Sequence, residues 1–334
     1  MSAPHPQDTP AGERGIALLS VLLLVAVMAV VSATAIERLS LATRLAGTGN
    51  AMEQSRQFTY AAEALASQRI GTLLGVSNSQ VTLQGGWHGK PMPVPLPTGG
   101  TAELTLTDGG NCFNLNSLVA DTTVGGATIR LDAVAQFTAL MQALAIDQPT
   151  AKHIAASAAD WIDPDQNVTG YGAEDETYQS AATPYRTPDA PMREPSELAS
   201  VSGVTPVLWQ KLRPWVCALP TSDMSPINVN TLLPEQAPLL MMLVPGRLSP
   251  AQASAHIAAR PIDGWGSTNA FWNAPTLRGV TPTGNAAAQV KLVTRWFNLH
   301  SVVHVGDVAT AADSMLEADK GRVRVVQRRW SAAP

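Results

Sequence analysis

Hydrophobic and polar positions divide the chain into stretches with different periodicities. Met1 to Gly15 is polar, with Pro4, Pro6 and Pro10 in it. Ile16 to Ile36 is apolar and uncharged, and Ser20, Ser32 and Thr34 are its polar members. As a helix at 1.5 Å per residue that run spans about 31 Å, the thickness of a bilayer core. A lone apolar segment in lipid must satisfy its backbone internally, so a helix is expected. Arg14 on the short leading side favours a cytoplasmic start, with the remaining chain across the membrane. A second reading is a signal peptide, because Ala33-Thr34-Ala35 offers an A-x-A cleavage pattern, although the apolar run is long for one.

Past the apolar run the helix is expected to continue. No proline interrupts Met52 to Ile70, and Phe58, Ala62, Leu65 and Leu73 recur at helical spacing. This apolar stripe needs a surface to lie on. Thr101 to Thr107 alternates, with Ala102, Leu104 and Leu106 on one side, which predicts a half-buried strand. A Pro/Gly-rich loop, Gly85 to Gly100, separates the two. Phe297, Leu299, Val303 and Val305, and then Val323 and Val325 between Arg322 and Arg324, read as returning strands of the same sheet. Leu131 to Arg260 is instead mostly helical and alanine-rich. Its clearest helices are Thr150 to Trp161 and Pro250 to Arg260, and Pro195-Ser196-Glu197-Leu198 marks another start. Asn114-Leu115-Asn116-Ser117-Leu118 resembles Asn228-Val229-Asn230-Thr231-Leu232, a weak internal repeat explained by capping. The expected architecture is α+β: a membrane helix, a small platform with an antiparallel sheet, and a large all-α insertion. The segments are 1–15 leader, 16–36 membrane span, 37–111 helix continuation and first strands, 112–285 insertion, and 286–334 returning strands.

Composition narrows the function. The chain is 45% hydrophobic and 14% charged over 334 residues, with a formal net charge of -4. Whole-chain disorder and a general nucleic-acid footprint are both disfavoured. Two cysteines exclude a disulfide-dense scaffold and a four-cysteine zinc site. Beyond a membrane in a bacterium-like layout the compartment would be oxidising, so Cys112 and Cys217 favour one disulfide over two buried thiols.

The clearest chemistry is acidic. Asp163, Asp165, Asn167, Thr169 and Glu174 stand at positions 1, 3, 5, 7 and 12 of a twelve-residue loop, the oxygen-ligand spacing of an EF-hand calcium loop. Val168 replaces the turn glycine of such loops, and Pro164 stiffens position 2. Asp175 offers a further carboxylate for the same ion or a neighbouring one. The competing reading is a solvated acidic turn after a helix. Calcium, as one or two ions, is favoured over magnesium, which seldom uses an all-protein cage.

Ile227 to Thr231 leading to Leu243-Val244-Pro245-Gly246-Arg247-Leu248-Ser249-Pro250 suggests a helix-hairpin-helix (SAM-like) unit, with Leu198 to Trp215 as a second copy. Pro250 has no N–H for a phosphate and few cations surround it, which argues against DNA. Exported DNA binding of competence type is therefore the alternative, not the first reading. The six histidines are scattered, and His300 with His304 reads as a surface pair. There is no nucleophile elbow and no complete phosphate loop, and Asp160 with Asp163 alone makes a weak acid/base pair. A non-enzymatic protein is expected.

Arg14-Gly15-Ile16-Ala17-Leu18-Leu19-Ser20 resembles a type IV prepilin leader. Asp160-Trp161-Ile162-Asp163-Pro164-Asp165, Gly172-Ala173-Glu174-Asp175, Tyr185-Arg186, Ser196-Glu197-Leu198 and Ile227-Asn228-Val229-Asn230-Thr231 resemble the general secretion pathway protein K family, the large minor pseudopilins of type II secretion. The resemblance runs over nearly the whole chain from Gly15. It implies a pilin-like fold with a large α-domain inserted, and calcium in that domain. It implies cleavage between Gly15 and Ile16 by the prepilin peptidase, with methylation of Ile16. The implied partners are the I-type and J-type minor pseudopilins, with the H type and the major pseudopilin, and no nucleic acid. The implied place is the pseudopilus tip, anchored in the inner membrane with the bulk in the periplasm. Ser20 stands at the fifth mature position, where major pilins carry a glutamate that pairs with a neighbouring subunit's amine.

Overall fold

The computed structural model describes residues 11–76, 79–97, 99–122, 126–282 and 284–332. Residues 1–10 of the expected leader lie outside that range. One helix, α1, runs from Ala11–Val76, about 100 Å at the α-helical rise. Its first part is fully exposed and apolar enough to cross a membrane. Nothing in the fold covers Leu18, Leu22 or Val25.

The distal third of α1 lies on a five-stranded sheet. The strand order is Met92–Pro95 (β1), Gly100–Asp108 (β2), Trp296–Val305, Val308–Asp319 and Arg322–Ala332, every neighbour antiparallel. The buried residues of α1 are Ser55, Thr59, Ala62, Glu63, Ala66 and Ile70. That face differs from the predicted stripe. Phe58 and Leu73 only border the core, and Leu65 is exposed. Small residues win because they let the helix axis approach the sheet, where Ile70, Leu104, Leu299 and Val303 interdigitate. Fully burying Ile70 alone contributes roughly 1.5–3 kcal/mol. Glu63 is buried on this face and paired to Arg328, and it also accepts from Ser314.

The strand Val308–Asp319 was not expected, since Ala309 to Ser314 is small and polar and shows no alternation. It is the centre of two hairpins. Gly306 (φ 56°) turns the first, and Lys320 (φ 47°) with Gly321 (φ 78°) turns the second. His300 faces away from α1 and pairs with Asp313 at 2.7 Å on the exposed side.

The insertion leaves the sheet after Asp108 and returns at Trp296. It has its own core, from Phe113 to Val290, around Phe137, Leu140, Ile154, Leu198, Leu212, Leu240 and Phe271. The packed unit therefore runs past the boundary expected at 285. Ala286–Gln289 is a short helix, and Val290–Lys291 pairs in parallel with Ile227–Asn228. The same pairing occurs once before, between Phe113–Asn114 and Val216–Cys217. Each pair opens one copy of the weak repeat. In the first, Asn114 Oδ1 accepts from Asn116 N, and the Asn116 amide clamps both N and O of Met192. In the second, Asn228 Oδ1 accepts from Asn230 N, and the Asn230 amide clamps N and O of Trp265. The insertion thus has two units that share this pairing and clamp.

A buried polar joint fixes this insertion to the sheet. Asp108, at the end of β2, accepts from Gly110 N, Thr231 Oγ1 and Thr294 Oγ1. Asn111 Nδ2 donates to Thr231 Oγ1, and Asn228 Nδ2 donates to Thr294 Oγ1 and Val81 O. Beside it Cys112 and Cys217 form a disulfide (Cα–Cα 5.8 Å) against Leu219 and Trp296.

Candidate metal centre

Helix α2, Gln148–Asp160, starts where the Asp147 side chain accepts from Thr150 N and Pro149 occupies the first turn. Its inner face, Ala151, Ile154, Ala155 and Ala158, is fully buried. That packing holds the last turn rigidly and delivers Asp160 inward. The chain continues one more turn, with Ile162 N and Asp163 N both donating to Ala159 O, and this aims Asp163 to the same side. A spacing of three residues on a helical turn makes the two carboxylates neighbours. The loop then returns and presents Glu174 immediately before the short helix Asp175–Gln179.

One carboxylate oxygen each from Asp160, Asp163 and Glu174 lies within 4.8 Å of the others, and all three residues are buried. Asp160 accepts from Thr169 N. Asp163 Oδ1 and both oxygens of Glu174 have no hydrogen-bond partner among the described residues. Burial pushes the Asp160 carboxyl up to about 6. Burial, with repulsion from Asp160 and Asp165, pushes Asp163 to about 7. Burial, with repulsion from Asp160 and Asp163, pushes Glu174 to about 8. Unpaired carboxylates so close together are costly unless protonated or bound to a cation. An all-oxygen anionic set suits a hard divalent ion such as calcium. The residues therefore fit the expected ion.

The loop between them does not follow the EF-hand wrap. Asp165 is exposed and caps its own turn, accepting from Asn167 N and Nδ2. Asn167 is also exposed, and Thr169 engages Asp160 through its backbone N–H. Asp175 accepts from Thr187 and stands 3.6 Å from Arg186. Of the six expected ligands the structure gathers Asp163 and Glu174. Val168 cannot make the sharp turn that glycine makes in such loops. Here the reversal comes later, in a turn closed by Gly172 N donating to Thr169 O, with Gly170 at φ 61°. Gly172 lies so close to the cluster that a Cβ there would meet Asp160 Oδ2 at 1.9 Å.

Asp160 was weighed in the sequence only as half of an acid/base pair. Its signal as a ligand was the three-residue spacing to Asp163. Asp189, which repels both Asp163 and Glu174 and sits at φ 49°, arrives from a distant loop and had no local signature. Around the centre, the Tyr171 carbonyl contacts His153 Nδ1 at 2.6 Å, and Trp161 packs on Tyr178 at 5.3 Å between ring centres.

The other expected sites are simpler. Gly15 and Ile16 are consecutive within α1. The Ser20 hydroxyl donates to Ile16 O and Ala17 O, so it is satisfied within the helix. The hairpin turn between Ala237–Leu243 and Pro250–Ala258 is capped by Ser249, which accepts from Gln252 N. Arg247 in the turn is exposed, whereas Arg260 beyond the second helix donates inward to Val229 O and Leu232 O. Arg260 is occupied by the fold and not presented to a phosphate.

Comparison with known proteins places these features. Two family models described as type II secretion system (T2SS), protein K, match residues 111–221 and 227–295. These two matches fall on the two structural units of the insertion. Type II secretion system protein K of Klebsiella pneumoniae is 33% identical over 95% of this chain and 96% of that protein. That of Pectobacterium carotovorum subsp. carotovorum is 32% identical over 95% and 96%. A putative type II secretion system protein K of Escherichia coli K12 is 35% identical over 84% of each chain. The fold is similar to a chain in the crystal structure of the GspK-GspI-GspJ complex from the enterotoxigenic Escherichia coli type 2 secretion system. The TM-score is 0.73 at 30% identity, covering 84% of this chain and 97% of that one. The chain belongs to the type II secretion system protein K family.

Proposed function

We propose that this member of the type II secretion system protein K family is the minor pseudopilin that begins or caps the pseudopilus. One observation carries the reading: the pilin-like part and the bulky insertion both align with a chain from a complex of three such proteins, over 97% of that chain. It acts as a structural part and not an enzyme. Helix α1 anchors it in the inner membrane after the prepilin peptidase has cut between Gly15 and Ile16 and Ile16 has been methylated. The periplasmic bulk assembles with I-type and J-type minor pseudopilins, and through them with the H type and the major pseudopilin.

Two features support a place at the tip. A charged residue in the bilayer is costly unless paired. Ser20 carries no charge and is satisfied by its own helix, so it needs no subunit ahead of it. The insertion broadens the far end of the molecule and obstructs addition above it. Calcium at Asp160, Asp163 and Glu174 fixes the first unit of that insertion. The hairpin-like turns serve as packing elements, not as phosphate grips.

Co-expression of the full chain with I-type and J-type pseudopilins should yield a three-protein complex on affinity purification. Recovery with neither, together with steeply salt-dependent DNA binding, would favour the competence-type reading instead. The ion is tested separately. Terbium, a calcium substitute, should luminesce on excitation of Trp161 and Tyr178, and calcium should displace it.

A further inference from the structure

A cleft of about 900 Å³ opens where the end of α1, the 221–226 loop and the last hairpin of the sheet meet. Its walls carry Arg130, Lys291, Arg295 and Lys320 against a single carboxylate, Asp223. Glu317 compensates Arg295. Among the described residues the Arg130 side chain donates to the carbonyls of Ser117 and Ser222 and meets no carboxylate. The side chains of Lys291 and Lys320 have no hydrogen-bond or ion-pair partner among the described residues. The cleft is therefore cationic in a chain whose formal net charge is -4.

A second cleft shares Thr221, Asp223, Arg295 and Trp296 with the first and extends it past Arg324. Shared walls make one elongated groove, which suits an extended ligand better than a point anion. Lipid headgroups are out of reach. Gly71 and Gly75 line the groove, and at 1.5 Å per residue Gly71 lies about 50 Å along α1 from Ile36.

We propose that this groove binds an extended acidic peptide segment of a partner protein, with Lys291, Lys320 and Arg130 meeting its carboxylates. Charge complementarity of this kind sets partner choice and encounter rate. The site stands apart from the metal centre, and it holds whether or not the chain occupies a pseudopilus tip.

The test uses the full chain in detergent and fluorescein-labelled hexaglutamate, read by anisotropy. Binding is expected to weaken with salt, since exposed charges are screened. The double charge reversal Lys291→Glu with Lys320→Glu should weaken it about tenfold or more. Gly75→Trp should weaken it similarly without changing charge, because a Cβ at Gly75 meets nothing within 4 Å and the added ring projects into free space. Unchanged melting points would show that both variants fold. No binding of hexaglutamate would overturn the proposal, as would equal binding of hexalysine or affinity unmoved in both variants. Inorganic phosphate that competes as well as unlabelled peptide would overturn it too, and would mark a small-anion site.

Discussion

Replacing Glu174 by glutamine should change stability in opposite directions with and without calcium. Without an ion, Asp160, Asp163 and Glu174 share one buried pocket and their carboxyls titrate at about 6, 7 and 8. Each folded-state value lies above its unfolded one, so the native state holds more protons between about pH 4 and pH 8. The stability slope with pH is then negative, and the ion-free protein weakens as pH rises through that window. For Glu174 at neutral pH the penalty is on the order of 3 kcal/mol, from about 1.4 kcal/mol per pKa unit. Glutamine removes that penalty but leaves a buried amide without partners, which costs about 1–3 kcal/mol. The expected net effect is a modest gain of roughly 1 kcal/mol in chelator. Calcium inverts the ranking. At a hundredfold excess over Kd the parent gains about 2.7 kcal/mol. For a domain of 150–250 residues that raises Tm by about 5–11 °C. The variant, short of one ligand and one charge, should lose most of this rise. The assay is thermal unfolding of the full chain in chelator and in saturating calcium, at about pH 5 and pH 8. A parent that does not respond to calcium would refute the reasoning. So would a variant destabilised equally under all four conditions.

Gly172→Ala should abolish calcium-dependent stabilisation, because its Cβ would lie 1.9 Å from Asp160 Oδ2; terbium luminescence and Tm in calcium report it. Converting Cys112 and Cys217 to serine opens a link across 105 positions, and the chain-entropy account predicts a loss of about 4–5 kcal/mol, read from the denaturant midpoint. On the proposed function, Ser20→Glu should place the protein along the filament shaft and reduce secretion, as seen by immunogold labelling; unchanged location and secretion would count against the proposed initiating role.

The sequence was most informative where one force dominated. The span Ile16 to Ile36 was legible because lipid tolerates only an apolar helix. β2 and the strands at Phe297 and Val323 were legible because apolar residues in each alternate with more exposed ones. The face of α1 was misread, since hydrophobicity pointed to Phe58 and Leu65, whereas close approach to the sheet selects Ser55, Thr59, Ala62 and Ala66. Val308–Asp319 was invisible because its place is set by pairing with two neighbours, not by its own alternation. The carboxylate cluster was legible in part. Asp163 and Glu174 were named, and the structure brings them together. Asp160 was missed as a member of the cluster because a template of consecutive loop positions directs attention past the helix end. Asp189 reaches the neighbourhood only through tertiary folding.

The repeat links these observations. Each unit begins with a two-residue parallel pair and an asparagine that caps a turn. Each then uses a second asparagine to clamp a distant backbone, Met192 in one and Trp265 in the other. A buried amide that satisfies both an N–H and a C=O of one residue replaces a strand pairing where no strand exists. This lets short helices and loops form a rigid unit without a larger sheet. The first unit contains the three carboxylates. The second supplies Thr231 and Asn228 to the joint with Asp108 and Thr294. The carboxylate cluster and the anchor are thus divided between the copies, and the disulfide of the first copy packs beside the same joint. Asp108 and Thr294, with the disulfide of Cys112 beside them, join the insertion to the sheet on which α1 lies. A buried polar joint needs its groups paired. Asp108 meets that need: burial raises its pKa while hydrogen bonds from Thr231, Thr294 and Gly110 oppose the rise.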